Sequence, residues 1–102
     1  MDEISLDQIA DDLRDSFRPL AEKYNLDDIG LFEEEGQDNA YHIGYAIKKD
    51  GRVFMVYLPF IQGEEGYLTL AKQEWTVQTE NPTDDDLKGF ANIEDVLQKL
   101  FA

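Results

Sequence analysis

The first hydrophobic pattern in the chain has the period of an α-helix. From Leu6 to Tyr24, apolar residues recur at intervals of three and four positions, which places their side chains on one face of a helix. Ser5 precedes this stripe and can cap the helix N-terminus with its hydroxyl. Pro19 lacks the N–H that a helix interior requires. Since the apolar period continues beyond Pro19, the sequence predicts a helix over residues 5–24 with a kink.

The centre of the chain has the two-residue period of β-strands. Asp50-Gly51 lies between the alternating segments 39–49 and 52–61, and Asp-Gly is a preferred dipeptide of the type I′ turn. Such a two-residue loop fixes the register, so that the numbers of paired residues have the same sum as 50 and 51. This register places four large apolar pairs on one face, which should pack against the helices. The pairs are Tyr41–Phe60, Ile43–Leu58, Tyr45–Val56 and Ile47–Phe54.

Two further strand patterns flank this hairpin. Residues 29–32 form a short apolar segment before it. Residues 67–79 alternate after it but change phase, which one extra residue in a β-bulge near Lys72-Gln73 would explain. Pro59 cannot donate a hydrogen bond to a neighbouring strand, so we expect a bulge or an unpaired stretch beside it.

The C-terminal region predicts a loop followed by a helix. Residues 81–89 indicate a loop with one helical turn, which begins at Thr83 and ends at Gly89. Asn92 is placed to cap a final helix. The apolar residues of that helix share one face, and they are Ile93, Val96, Leu97, Leu100 and Phe101.

The order of these elements predicts an α+β fold in a single domain over residues 1–102. An N-terminal helix is followed by four consecutive strands with short loops, which favours an antiparallel meander. A C-terminal helix completes the chain. We expect both helices on one face of the sheet, which leaves no element to cover the other face.

Composition excludes several classes of function. The 102 residues include 9 Lys and Arg, 23 Asp and Glu and no Cys, which gives a formal net charge of −14. This charge argues against direct binding to nucleic acid or to an anionic membrane. The lack of Cys excludes a disulfide framework and a thiolate zinc site. No signal peptide and no apolar segment of membrane length is recognised, so we expect a cytoplasmic protein.

The sequence offers two candidates for chemistry, and neither predicts an enzyme. His42 is the only His, but its expected neighbours Gly44, Ala46 and Pro59 supply neither a nucleophile nor an orienting group. The acidic run Asp84–Asp86 has three adjacent carboxylates, unlike the alternating ligands of a calcium-binding EF-hand. We therefore expect no cofactor, while weak binding of a divalent metal by this run remains an alternative.

The second face of the predicted sheet is half apolar and carries the best candidate site. Such a patch on a small domain commonly marks an interface, in which Tyr, Trp and Met are enriched. The candidate residues are His42, Met55, Tyr57, Ile61 and Trp75. Coverage of this face by loops or by the segment around Phe90 is equally compatible with the pattern. The sequence predicts a non-catalytic module that binds a protein partner or forms a homodimer through this face. An acidic mimic that inhibits a nucleic-acid-binding protein is an alternative, and it would need acids along one ridge.

Three segments of the chain resemble a known family. They are residues 27–36 (Asp-Asp-Ile-Gly-Leu-Phe-Glu-Glu-Glu-Gly), Gly44-Tyr45 and residues 87–90 (Leu-Lys-Gly-Phe). This pattern is similar to a family of small acidic cytosolic bacterial proteins classified only as a domain of unknown function. The resemblance covers nearly the whole chain and implies a cytoplasmic single-domain protein, with no activity and no site residues attached.

Overall fold

The chain forms an α+β fold, as its hydrophobic pattern predicts. A computed structural model describes residues 4–63, 66–79 and 87–101. In chain order the elements are β1 (Ile4–Ser5), α1 (Leu6–Asp15), α2 (Phe17–Tyr24), β2 (Asp28–Glu35), β3 (Ala40–Lys49), β4 (Arg52–Gln62), β5 (Tyr67–Leu70), β6 (Trp75–Thr79), β7 (Leu87–Phe90) and α3 (Ile93–Phe101).

The central hairpin of β3 and β4 has the predicted register. Lys49 pairs with Arg52 next to the turn, and Ala40 pairs with Ile61 at the far end. Asp50 and Gly51 have φ angles of 53° and 78°, and positive φ at both positions is the requirement of a type I′ turn. Local turn chemistry is therefore sufficient to align this pair of strands.

The sheet contains seven strands in the described part of the chain, so the prediction of a four-stranded meander was wrong. Five strands lie in the order β1-β5-β4-β3-β2, while β6 pairs with β4 and β7 pairs with β6. β1 has only two residues, Ile4 and Ser5, too few to produce a detectable alternation. β2 continues beyond the predicted Phe32 to Glu35, because an edge strand tolerates exposed acidic side chains.

The predicted strand 67–79 is divided into β5 and β6, which both pair with β4. Phe60 pairs with Leu70, while Tyr57 pairs with Thr76. The residue numbers of a pair add up to 130 between β4 and β5 and to 133 between β4 and β6. Three extra residues therefore lie between β5 and β6, whereas the sequence predicted one. An odd insertion changes which face the following side chains occupy, which explains the change of phase in the sequence.

Pro59 lies beside this insertion. Its carbonyl accepts a hydrogen bond of 2.9 Å from the N–H of Ala71, so its backbone faces the side of β5 and β6. The backbone nitrogen of Pro59, which has no hydrogen, points to the same side. The residues between β5 and β6 on that side do not pair with β4, so no hydrogen bond from this nitrogen is needed. The expected irregularity next to Pro59 is confirmed.

β7 occupies the place where the sequence predicts a helical turn. Trp75 pairs with Phe90, whereas Thr76 pairs with Lys88, so Gly89 is an extra residue in the ladder. The φ angle of Gly89 is 91°, and a glycine at positive φ is typical of a β-bulge. Gly89 therefore forms a bulge and does not end a helix, while the predicted cap Thr83 lies outside the described residues.

The helix boundaries follow the predicted caps. The Ser5 hydroxyl accepts a 3.1 Å hydrogen bond from the N–H of Gln8, and the Asn92 side chain accepts one of 2.9 Å from the N–H of Asp95. The prediction of one helix kinked at Pro19 was wrong, because Ser16 separates two helices, α1 and α2. Pro19 is thereby the third residue of α2, in the first turn, where backbone N–H groups have no intrahelical acceptor.

The helices and one face of the sheet enclose the hydrophobic core. Side chains of α1, α2 and α3 pack on that face in two clusters, which share the partly buried Leu13 and Leu58. The buried members are Leu20, Tyr45, Ile47, Phe54, Val56, Trp75, Val77, Val96 and Leu97 in the first cluster and Ile9, Ile43, Phe60 and Leu68 in the second. The apolar pairs of the hairpin therefore form the core, as predicted.

Candidate interaction face

The sheet surface opposite the core is the candidate site, and we call it the outer face. Alternate residues of β3 and β4 reach it, because side chains on a strand alternate between the two sides. The register places Glu34 beside His42 and Phe32 beside Gly44. The outer face includes Phe32, Glu34, His42, Gly44, Met55, Tyr57, Pro59 and Ile61.

Apolar and aromatic side chains on the outer face remain partly exposed. Ile61 is 45% exposed, while Phe32, His42, Met55 and Tyr57 are half-buried. Neither core cluster includes any of these five residues, and the described helices contribute their apolar side chains to the core clusters. Within residues 4–63, 66–79 and 87–101, helix packing therefore does not account for this apolar surface.

Three rings form a continuous patch, which we call the aromatic strip: Phe32, His42 and Tyr57. The ring centres of Phe32 and Tyr57 are 5.5 Å apart with an interplanar angle of 33°. The His42 and Tyr57 rings are 4.8 Å apart at 34°. Gly44 lies between Phe32 and Tyr57 in the register, and its lack of a side chain lets the two rings approach each other. Such ring pairs add about 0.5–1.5 kcal/mol each to simple burial.

Glu34 lies at the edge of the aromatic strip. Its Oε1 is 3.9 Å from the Nδ1 of His42, which is longer than a hydrogen bond. That nitrogen is buried and has no hydrogen-bond partner among the described residues. The side chain of Glu34 is 60% exposed and that of His42 is 30% exposed. The site thus combines three aromatic surfaces with one accessible carboxylate.

The structure brings together four of the five predicted site residues. His42, Met55, Tyr57 and Ile61 lie on the outer face. Phe32 and Glu34 are additional members that the sequence analysis missed. Asp38 and Asn39 have positive φ in a turn closed by a 3.0 Å hydrogen bond from the N–H of Ala40 to the carbonyl of Gln37. Asp and Asn favour such positions, so this dipeptide was the local signal for the alignment of β2 with β3.

Trp75 was wrongly assigned to the outer face. It is 6% exposed and belongs to the core, where its ring stacks on Tyr45 with centres 5.9 Å apart. Val77, two residues further on, pairs with the buried Val56, so Trp75 points to the core side as well.

The metal-binding alternative has no support in the described part of the chain. Groups of three or more His, Asp or Glu side chains able to hold a metal ion are absent from the described residues. Asp84–Asp86 lie outside them.

Of the helices in the described ranges, none has both the length and the apolar character needed to cross a membrane.

Comparison with known proteins relates this chain to one family. No curated protein matches the sequence. The model of a family of unknown function, DUF5634, matches residues 3–100, which agrees with the resemblance to a domain of unknown function. Since the match spans almost the whole chain, the protein belongs to DUF5634.

Proposed function

We propose that this protein is a non-catalytic interaction module that binds a partner protein through its outer face. The observation that carries the proposal is the partly exposed apolar and aromatic surface on the side of the sheet opposite the two core clusters. Contiguous apolar patches on small domains commonly mark interfaces. Tyr, Phe and Met, the residue types found here, are enriched in them.

The charge of the chain favours a partner other than a second copy. Two copies would each bring a net charge of −14, and like charges oppose association. Glu34 and Asp28 add exposed carboxylates at the β2 side of the sheet. The partner is therefore expected to present an apolar surface bordered by basic side chains.

The distribution of acids does not favour a nucleic-acid mimic. Exposed acidic side chains are divided among α1, β2 and α3, and Glu33 and Glu34 point to opposite faces of the sheet. Asp11, Glu22 and Glu94 are also paired with Arg14, Arg18 and Lys23. A mimic of a phosphate backbone would need free acids along one ridge.

Site-specific photo-crosslinking tests the proposal. A photoreactive amino acid replaces Ile61, which is exposed on the outer face, and in a matched control it replaces Arg18, which is exposed on α2. Both proteins are irradiated in the cytoplasmic fraction of the source cells, where we propose that the protein acts. We expect a discrete protein adduct from position 61 that is absent from position 18.

The adduct must then be reproduced with purified components. Binding of the identified partner should weaken at least about tenfold in Tyr57→Ala/Met55→Ala, since buried interface anchors commonly contribute more than 1.4 kcal/mol. Ile61→Asp is a second variant, whose exposed position leaves the core intact. Identical adducts from positions 61 and 18 would refute the proposal, and a stable dimer in sedimentation would identify the occupant as a second copy.

A further inference from the structure

We infer that the outer face recognises an arginine side chain of its partner, held on the aromatic strip and paired with Glu34. This inference rests on the proposed function, because it names the chemistry that the partner presents to the same face.

The aromatic strip offers surfaces to which a planar cation binds. The Tyr57 ring lies 5.5 Å from that of Phe32 and 4.8 Å from that of His42, with interplanar angles of 33° and 34°. All three residues are partly exposed, and the side chain of His42 keeps 30% of its surface accessible. A guanidinium group within about 6 Å of a ring centre is attracted by the negative π-face.

Glu34 supplies the counter-charge at the edge of the strip. Its carboxylate is 3.9 Å from the nearest nitrogen of His42 and has no closer ion pair among the described side chains. A guanidinium can donate two parallel hydrogen bonds to such a carboxylate while its plane lies against a ring. Lysine has a compact ammonium group, so it lacks both the planar fork that matches a carboxylate and the flat surface that stacks on a ring.

The net charge attracts cations to the whole molecule, so specificity must come from the outer face. Glu33 and Glu34 are adjacent, exposed and equal in charge, but they lie on opposite faces of β2. Only Glu34 adjoins the aromatic strip. Replacement of either residue by Gln changes the net charge equally, which makes Glu33→Gln a matched control.

An NMR titration with arginine amide tests the inference. We expect saturable shifts of the ring signals of Phe32, His42 and Tyr57. The affinity should fall roughly fivefold in Glu34→Gln, the equivalent of about 1 kcal/mol, and should be unchanged in Glu33→Gln. Lysine amide should bind more weakly than arginine amide. Tyr57→Leu, which keeps an apolar side chain but removes the ring, should also weaken binding.

Two results would overturn the inference. Equal losses in Glu34→Gln and Glu33→Gln would show general attraction by charge, and equal affinity for lysine amide would show that no planar cation is selected. If crosslinking at position 61 succeeds while arginine amide fails these tests, the inference fails and the proposed function stands. If crosslinking also fails, both are refuted.

Discussion

Gly44 occupies a position where the central strands leave no room for a side chain. A Cβ at this residue would lie 1.9 Å from the carbonyl oxygen of Val56 and 2.6 Å from the Cα of Tyr57. Both atoms belong to the backbone, so they cannot move aside as a flexible side chain would. Gly44 therefore allows the close approach of β3 and β4 beneath the aromatic strip.

Gly44→Ala should destabilise the protein by about 3 kcal/mol, since overpacking of a closed site forces the backbone to shift. Gly30→Ala is the matched control, because it lies on the same sheet face and a Cβ there meets no atom within 4 Å. Alanine at position 30 should leave stability unchanged or raise it by up to about 1 kcal/mol, since glycine weakens strands. Urea unfolding measures both variants, and similar losses would contradict the steric argument.

At the scale of elements, Lys49 connects the central hairpin to the end of α2. Its Nζ donates hydrogen bonds of 2.9 Å to the carbonyl of Tyr24 and 3.0 Å to that of Asn25. The last carbonyls of a helix carry partial negative charge and lack intrahelical donors. A cation from a neighbouring strand therefore stabilises the helix end and fixes α2 against the sheet.

Lys49→Met should lower the free energy of unfolding by about 1–2 kcal/mol, which lies between the usual contribution of a cation at a helix C-terminus and that of a hydrogen bond to a charged group. Lys48→Met removes the same charge from an exposed position and should change stability by less than about 0.5 kcal/mol. Denaturant unfolding at neutral pH compares the two. A larger loss in Lys48→Met would show that net charge, and not the tie to α2, determines the effect.

At the scale of the whole molecule, acidic charge is confined to a small volume. The described chain extends 40 × 31 × 20 Å, and the net charge of the protein is −14. Pairs such as Arg14–Asp11 and Lys23–Glu94 are more than half exposed, and exposed pairs contribute about 0–1 kcal/mol each. Repulsion among the unpaired acids is therefore expected to exceed these attractions.

Added salt should accordingly raise stability, by an amount on the order of 1 kcal/mol between low salt and about 0.5 M NaCl. The Debye length falls below about 10 Å in this range, so repulsion across the molecule is screened. Urea unfolding at each NaCl concentration provides the measurement, and MgCl₂ at equal ionic strength is the control. Unchanged stability would contradict the prediction, whereas a clearly larger effect of MgCl₂ would support specific divalent binding.

The sequence by itself determined the features that depend on neighbouring residues. Asp50-Gly51 set the hairpin register because a two-residue turn allows only one alignment. Ser5 and Asn92 marked the helix starts because each cap bonds to a backbone N–H three residues away. The same register placed four residues on the outer face: His42, Met55, Tyr57 and Ile61.

Only the tertiary structure decided which distant segments meet. β1 has only two residues, and its pairing of Ile4 with Leu68 joins segments that are far apart in the sequence. Trp75 lies in the core because the residues inserted between β5 and β6 shift the register of β6 against β4. Side chains alternate with a period of two, so a shift of one residue exchanges the two faces. The number of residues inserted between β5 and β6, which the local pattern does not specify, therefore decided that Trp75 belongs to the core and not to the outer face.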